Sequence, residues 1–151
     1  MHKARVRTLQ ALVSGVRCVA AHPQFPNIQA EFGEVYSVRK VRRNARRRIL
    51  EVLHSTRALD STLAAFVSHH GCCSPGSKPP KSLGQYLFAL HNHTVVGLGQ
   101  LADAHRRRFN SNIVNPRNRY MHEAGAFPIA DSDIQTLLSE MHTCLAVVAR
   151  L

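Results

Sequence analysis

The segment Asn115-Pro116-Arg117-Asn118-Arg119-Tyr120-Met121-His122-Glu123 concentrates guanidinium, amide and imidazole groups in a short stretch of chain. Such groups suit phosphodiester chemistry. An RNA 2′-hydroxyl is a built-in nucleophile, so cleavage needs no metal if a protein can remove its proton, stabilise the extra phosphate charge and protonate the leaving oxygen. His122 is suited to the proton transfers because imidazole titrates near neutrality. Arg117 offers a fork of donors to a crowded anionic transition state. Asn118 can orient the phosphate or the imidazole, and Arg119 and Tyr120 can contact an RNA backbone.

Local signals place these groups on a short helix. Asn115 is expected to cap it, Pro116 fits its first position, and Gly125 followed by Pro128 can end it. Arg117 then falls in the first turn, where free N–H groups and the macrodipole favour a phosphate. Asn118 and His122 share a face, with Arg119 on the same side. Arg117 lies about 140° around the helix from His122, so one helix does not close a pocket around both. A second copy or another segment is required. Spacing alone carries little weight, because sixteen Arg and ten His predict about one Arg-x4-His match by chance, and Arg17 and His22 provide another. Context separates them: apolar residues fill the first, and polar residues fill 117 to 122.

Arg117-Asn118-x-x-x-His122 resembles the signature of the HEPN superfamily, small all-α proteins that are often metal-independent ribonucleases and often toxins or phage-defence effectors. Thr56-Arg57-Ala58-Leu59-Asp60 before a helix, and Ser82-Leu83-Gly84 opening the next, look like the layout of such domains, so the resemblance covers roughly residues 35 to 150. It implies an endoribonuclease with Arg117, Asn118 and His122 as catalytic residues, acting as a homodimer whose two motifs face one cleft. The implied products are a 2′,3′-cyclic phosphate and a 5′-hydroxyl, and DNA is spared because it lacks the nucleophile. A cognate antitoxin or regulator protein is the further partner this implies, with no cofactor and no metal.

With 151 residues the chain reads as one domain, 1–151, long enough to bury about 68–70% of its unfolded surface. Abundant Leu, Ala, Val and Arg, few aromatics and no Trp favour an all-α fold, a compact bundle of five to six helices, which the resemblance implies is dimerising. No apolar run is long enough to cross a membrane. Arg17 interrupts the apolar stretch after Lys3, Arg5 and Arg7 too early for a signal peptide. Four cysteines, two of them adjacent, do not form a disulfide framework in a chain this long, which points to a reducing cytoplasm.

The net charge of +11 points to a polyanion or an acidic partner protein. Arg39, Lys40, Arg42, Arg43, Arg46, Arg47 and Arg48 form one block, and Arg106, Arg107 and Arg108 another. At helical spacing, Arg39, Arg42, Arg43, Arg46 and Arg47 make a stripe, read either as a solvated face or as a track for a nucleic-acid backbone. Arg43, Arg46, Arg47 and Arg106 to Arg108 are the candidate RNA-binding cations, with Arg119 and Tyr120. Only Tyr36 and Phe109 lie near the blocks, so no stacking platform is indicated. The alternative to an enzyme is a non-catalytic basic helical module that binds nucleic acid or an acidic protein.

Helices are expected over 3 to 21, 28 to 57, 60 to about 70, 82 to about 109, 115 to 122, and from Asp131 or Ser132 onward. Gly97 and Gly99 inside the fourth mark a close approach or a kink. Gly71 to Lys81, rich in Gly and Pro, is a loop that serves as a connector or as a flap near the site. His69-His70-Gly71-Cys72-Cys73, with His91 and His93, offers zinc-type ligands, but adjacent Cys72 and Cys73 cannot easily share one ion. The expectation is a helix end running into a loop, with no metal.

Overall fold

In a computed structural model describing residues 2–73 and 76–151, the regular structure is all helical, with no strand among the described residues. The elements are α1 (His2–Gly15), α2 (Arg17–Ala20), α3 (Phe25–Ser37), α4 (Asn44–His70), α5 (Leu83–Asn92), α6 (Asp103–Phe109), α7 (Asn115–His122) and α8 (Asp131–Val148). A 3-10 turn, Val38–Lys40, follows α3, and a π-helical segment, Asn110–Val114, joins α6 to α7. Helix α4 is the central element, about 40 Å long at 1.5 Å per residue, and α2, α3, α5, α7 and α8 all pack on it. Its inward face buries Val52, Ala58, Leu59, Leu63, Phe66 and Val67. The α8 stripe of Ile134, Leu137, Leu138, Met141, Leu145 and Val148 is buried as its periodicity predicts.

Several boundaries differ from the sequence reading. The first helix breaks at Val16, whose extended ψ of 99° starts a separate short turn. The chain bends again at residues 41–43, where Val41 and Arg43 are extended, with ψ of 120° and 112°. From Asn44 the helix then runs unbroken to His70, so Asp60 does not start a helix. Gly71 ends it at φ 64°, where the Cys72 N–H donates to the Val67 carbonyl and the Gly71 N–H to that of Ser68. The loop after it reads as expected at the described residues, with Ser74 and Pro75 lying outside them.

The helix expected over 82–109 is interrupted between Asn92 and Asp103. Gly97, at φ 81°, belongs to this loop rather than to a kinked helix. Two histidines hold it. Buried His93 donates from Nε2 to the Gly99 carbonyl at 2.9 Å, and its Nδ1 accepts from the Val95 N–H at 3.2 Å. His91 Nδ1 donates to the Leu101 carbonyl at 2.8 Å. Both side chains thus serve the backbone.

Neither Asp131 nor Ser132 caps α8. Asp133 Oδ2 takes the N–H groups of Ile129 and Ala130, at 2.8 and 2.9 Å, while Asp131 accepts Arg47 at 3.0 Å and Arg48 at 2.7 Å. This clamp ties the start of α4 to the start of α8. The Arg48 hydrogen bond and the Arg47 charge hold the Asp131 carboxyl below its ordinary value. A depressed carboxylate contributes stability above its unfolded pKa, near 3.9, and loses it as pH falls through the lower folded value. Urea midpoints measured below about pH 4 are therefore expected to fall less steeply in Asp131→Asn than in the wild type. With Asp131 47% exposed the difference is small.

Candidate functional site

The helix carrying the motif is real but does not begin where the sequence suggests. Val114 and Asn115 both have αR geometry, and the Asn115 N–H donates to the Asn110 carbonyl, the i−5 bond of a π turn. Helical backbone therefore runs from α6 through the π segment into α7. Asn115 is not a cap, and Arg117 gains nothing from a free helix N-terminus. Its positioning comes from packing instead. Phe109 and Ile113, both fully buried, anchor the stretch just before α7, whereas α7 itself has no buried residue. The helix ends at His122, because Glu123 is extended with ψ of 120°; Gly125 belongs to the turn beyond.

A cleft of about 160 Å³ opens between α4, the start of α5 and α7, lined by Asp60, Lys81, Ser82, Gly84, Arg117 and Asn118 among others. Arg117 Nη1 donates to Asn118 Oδ1 at 2.9 Å, so the two motif residues are oriented as a unit. Asp60 lies on the opposite wall. Burial raises its carboxyl, while Arg117 and a hydrogen bond from the Leu83 backbone N–H draw it down. Asp60 thus satisfies an orphan donor at the start of α5, and the Gln85 side chain takes the Lys81 N–H at 2.7 Å. On the α5 side the wall at Gly84 lies close to Asn110 and Val114, at distances where a Cβ would make ordinary contacts of 3.5 and 3.7 Å.

His122 does not line this cleft. Its side chain is exposed and has no hydrogen bond or ion pair among the described residues. That follows from helical phase: Arg117 turns inward toward α4 and His122 turns outward on the last turn of α7. Arg119 and Tyr120 contact each other, with the guanidinium 5.1 Å from the ring centroid. The other Arg-x4-His match is not helical throughout, because α2 stops at Ala20, and His22 Nδ1 accepts the Gln24 N–H at 3.1 Å within a turn.

Much of the positive charge is already matched. Arg106 and Arg107 both bind Asp103, whose carboxyl these bonds pull down to about 2, and Arg108 binds Glu140 at 2.7 Å. Arg47 and Arg48 are held by Asp131. The expected single stripe is split by the bend at 41–43, which leaves Arg42 and Arg43 ahead of α4. Lys40, Arg42, Arg43 and Arg46 remain exposed, with no side-chain partner among the described residues.

Sequence reasoning took Asp60 as part of the Thr56–Asp60 stretch and as the start of a helix, not as a site residue, and did not single out Lys81. The Lys81-Ser82 pair before a helix was the available signal for the cleft. Nothing in the periodicity of α4 marks Asp60 as facing α7. No family model, curated protein or solved structure matches the chain.

Proposed function

We propose that the chain is a metal-independent endoribonuclease of the HEPN type. The observation that carries this reading is the Arg117–Asn118 pair, hydrogen-bonded and facing a cleft shared with Lys81, together with an unpartnered His122 on the same helix. In this reading, Arg117 and Lys81 receive the scissile phosphate. The guanidinium, balanced by Asp60 in the free protein, turns to the phosphate as charge builds on it. His122 removes the 2′-hydroxyl proton and returns one to the 5′-oxygen leaving group, forming a 2′,3′-cyclic phosphate. Because Arg117 and His122 face different ways on one helix, each His122 completes the cleft of a second copy. A cognate antitoxin would cover the same surface. The test is digestion of mixed single-stranded and structured RNA in EDTA, with DNA as control. Cyclic-phosphate ends on RNA fragments and intact DNA support the proposal; intact RNA under every condition overturns it.

The second reading, a basic module that binds without cutting, draws on the exposed Lys40, Arg42, Arg43 and Arg46. Both readings make one prediction about masked charge. Asp103→Asn releases Arg106 and Arg107, so RNA is bound more tightly, and the slope of log affinity against log salt steepens by about 0.7 per arginine recruited. Filter binding across a salt series measures it; an unchanged slope would mean these arginines never reach phosphate.

A further inference from the structure

Three side chains that the ribonuclease reading does not use meet where α2 packs on the end of α4. The donor atoms of Cys18, His69 and His70 all lie within 4.8 Å of one another. The two histidines are sequence neighbours, yet their rings converge, edge to face, with centroids 4.8 Å apart. Phe66 backs the second, its ring centroid 4.5 Å from that of His70. We propose that Cys18, His69 and His70 form a binding site for a borderline-soft divalent ion, with zinc as the fitting metal.

Bonds of about 2.3 Å to sulfur and 2.0–2.1 Å to imidazole nitrogen set donor separations near 3.5 Å in a tetrahedron, within reach of side-chain rotation from the observed spread. One thiolate and two imidazoles suit zinc or cobalt, whereas magnesium and calcium require oxygen ligands absent from this cluster. His93 is excluded as a ligand, since both its nitrogens are committed to Gly99 and Val95. The fourth position is therefore open to water or a small ligand on the exposed side of His69. Such an ion would staple α2 to the end of α4. Ten residues separate Asp60 from His70, about 15 Å along the helix, so the site is independent of the Arg117 cleft.

The sequence sets His69 and His70 near Cys72, Cys73, His91 and His93 and leads to the expectation of no metal; the fold instead brings Cys18 to the two histidines. The thiol of Cys72 is fully buried and pushed up to about 11 by its burial. Binding must displace the Cys18 proton, as for any thiolate ligand.

The test is a Co²⁺ titration of the reduced, chelator-stripped full chain, read by optical absorption. One equivalent is expected to bind, with tetrahedral d–d bands and a single thiolate-to-cobalt charge-transfer band, and Zn²⁺ should displace it. Cys18→Ser should remove the charge-transfer band. His69→Gln, at an exposed position that does not threaten folding, should weaken binding by at least the roughly 10–100-fold seen when mere supporting partners are lost. Cys73→Ser should change neither. Helical circular dichroism verifies that each variant is folded. Absence of Co²⁺ binding overturns the proposal, as does a charge-transfer band that survives Cys18→Ser or an affinity unmoved by His69→Gln.

Discussion

His122→Ala is expected to lower RNA cleavage by about 10²–10⁴-fold, the usual contribution of a positioned general acid or base. The same substitution should leave the fold intact. His122 is exposed and makes no hydrogen bond among the described residues, and changes at such positions typically stay within about ±0.5 kcal/mol. Lost cleavage with an unchanged urea midpoint would therefore report chemistry and not unfolding. Binding should persist with its salt sensitivity, because the cations at 40 to 46 and the Arg117–Asn118 pair are untouched. His22→Ala is the matched control: it belongs to an identical spacing, but its ring serves the turn at Gln24 and should not affect cleavage. If His122→Ala cuts as well as the wild type, the motif is not catalytic and the basic-module reading takes its place. Mixing His122→Ala with Arg117→Ala probes the shared cleft as well. Partial recovery of activity in the mixture is expected if Arg117 of one copy works with His122 of another.

What was legible in the sequence and what was not divides along physical lines. The apolar stripe of α8 and the inward face of α4 repeat at 3.6 residues because one side is buried, so periodicity reveals them. Breaks without Pro are harder. Val41 and Arg43 turn extended with no Gly or Pro beside them, since tertiary packing overrides modest propensities there, and at Val16 the one local signal is the preceding Gly15. The continuous helix through Ser55 and Thr56 was obscured for the opposite reason. Both hydroxyls, which usually favour caps, bond back to carbonyls of the preceding turn, Ser55 to Glu51 and Thr56 to Val52. Asn115-Pro116 looked like a start signal because proline needs no N–H donor, a property that equally suits it to follow a π turn. Pairings across the fold, Asp60 with Arg117 and Cys18 with His69 and His70, link residues more than fifty positions apart. No local pattern encodes them. The identity of the motif residues was legible, and their directions in space were not.

Phe109→Ala is expected to destabilise the protein by about 3–5 kcal/mol, the cost of removing a fully buried aromatic whose cavity cannot collapse. Phe109 closes α6 and stacks on His105, with ring centroids 5.7 Å apart and the rings nearly parallel. It sits at the entry to the π segment, where one extra residue per turn resets the phase between α6 and α7. Since α7 has no fully buried residue and adds only the partly buried Tyr120 and Met121 to the core, Phe109 and Ile113 carry most of the anchoring that sets Arg117 in the cleft with Asp60. Two readouts separate the core effect from the positional one. Chemical denaturation should register the loss in global stability. Native-state hydrogen exchange should show the amides of residues 115–122 opening at a free energy well below that of α4 or α8, already in the wild type, and lower still in the variant. His105→Ala retains the buried ring and should reproduce only a minor part of either change. Uniform protection across α4, α7 and α8 in the wild type would contradict this account, because a motif helix that exchanges only by global unfolding does not depend on its neighbour's anchor.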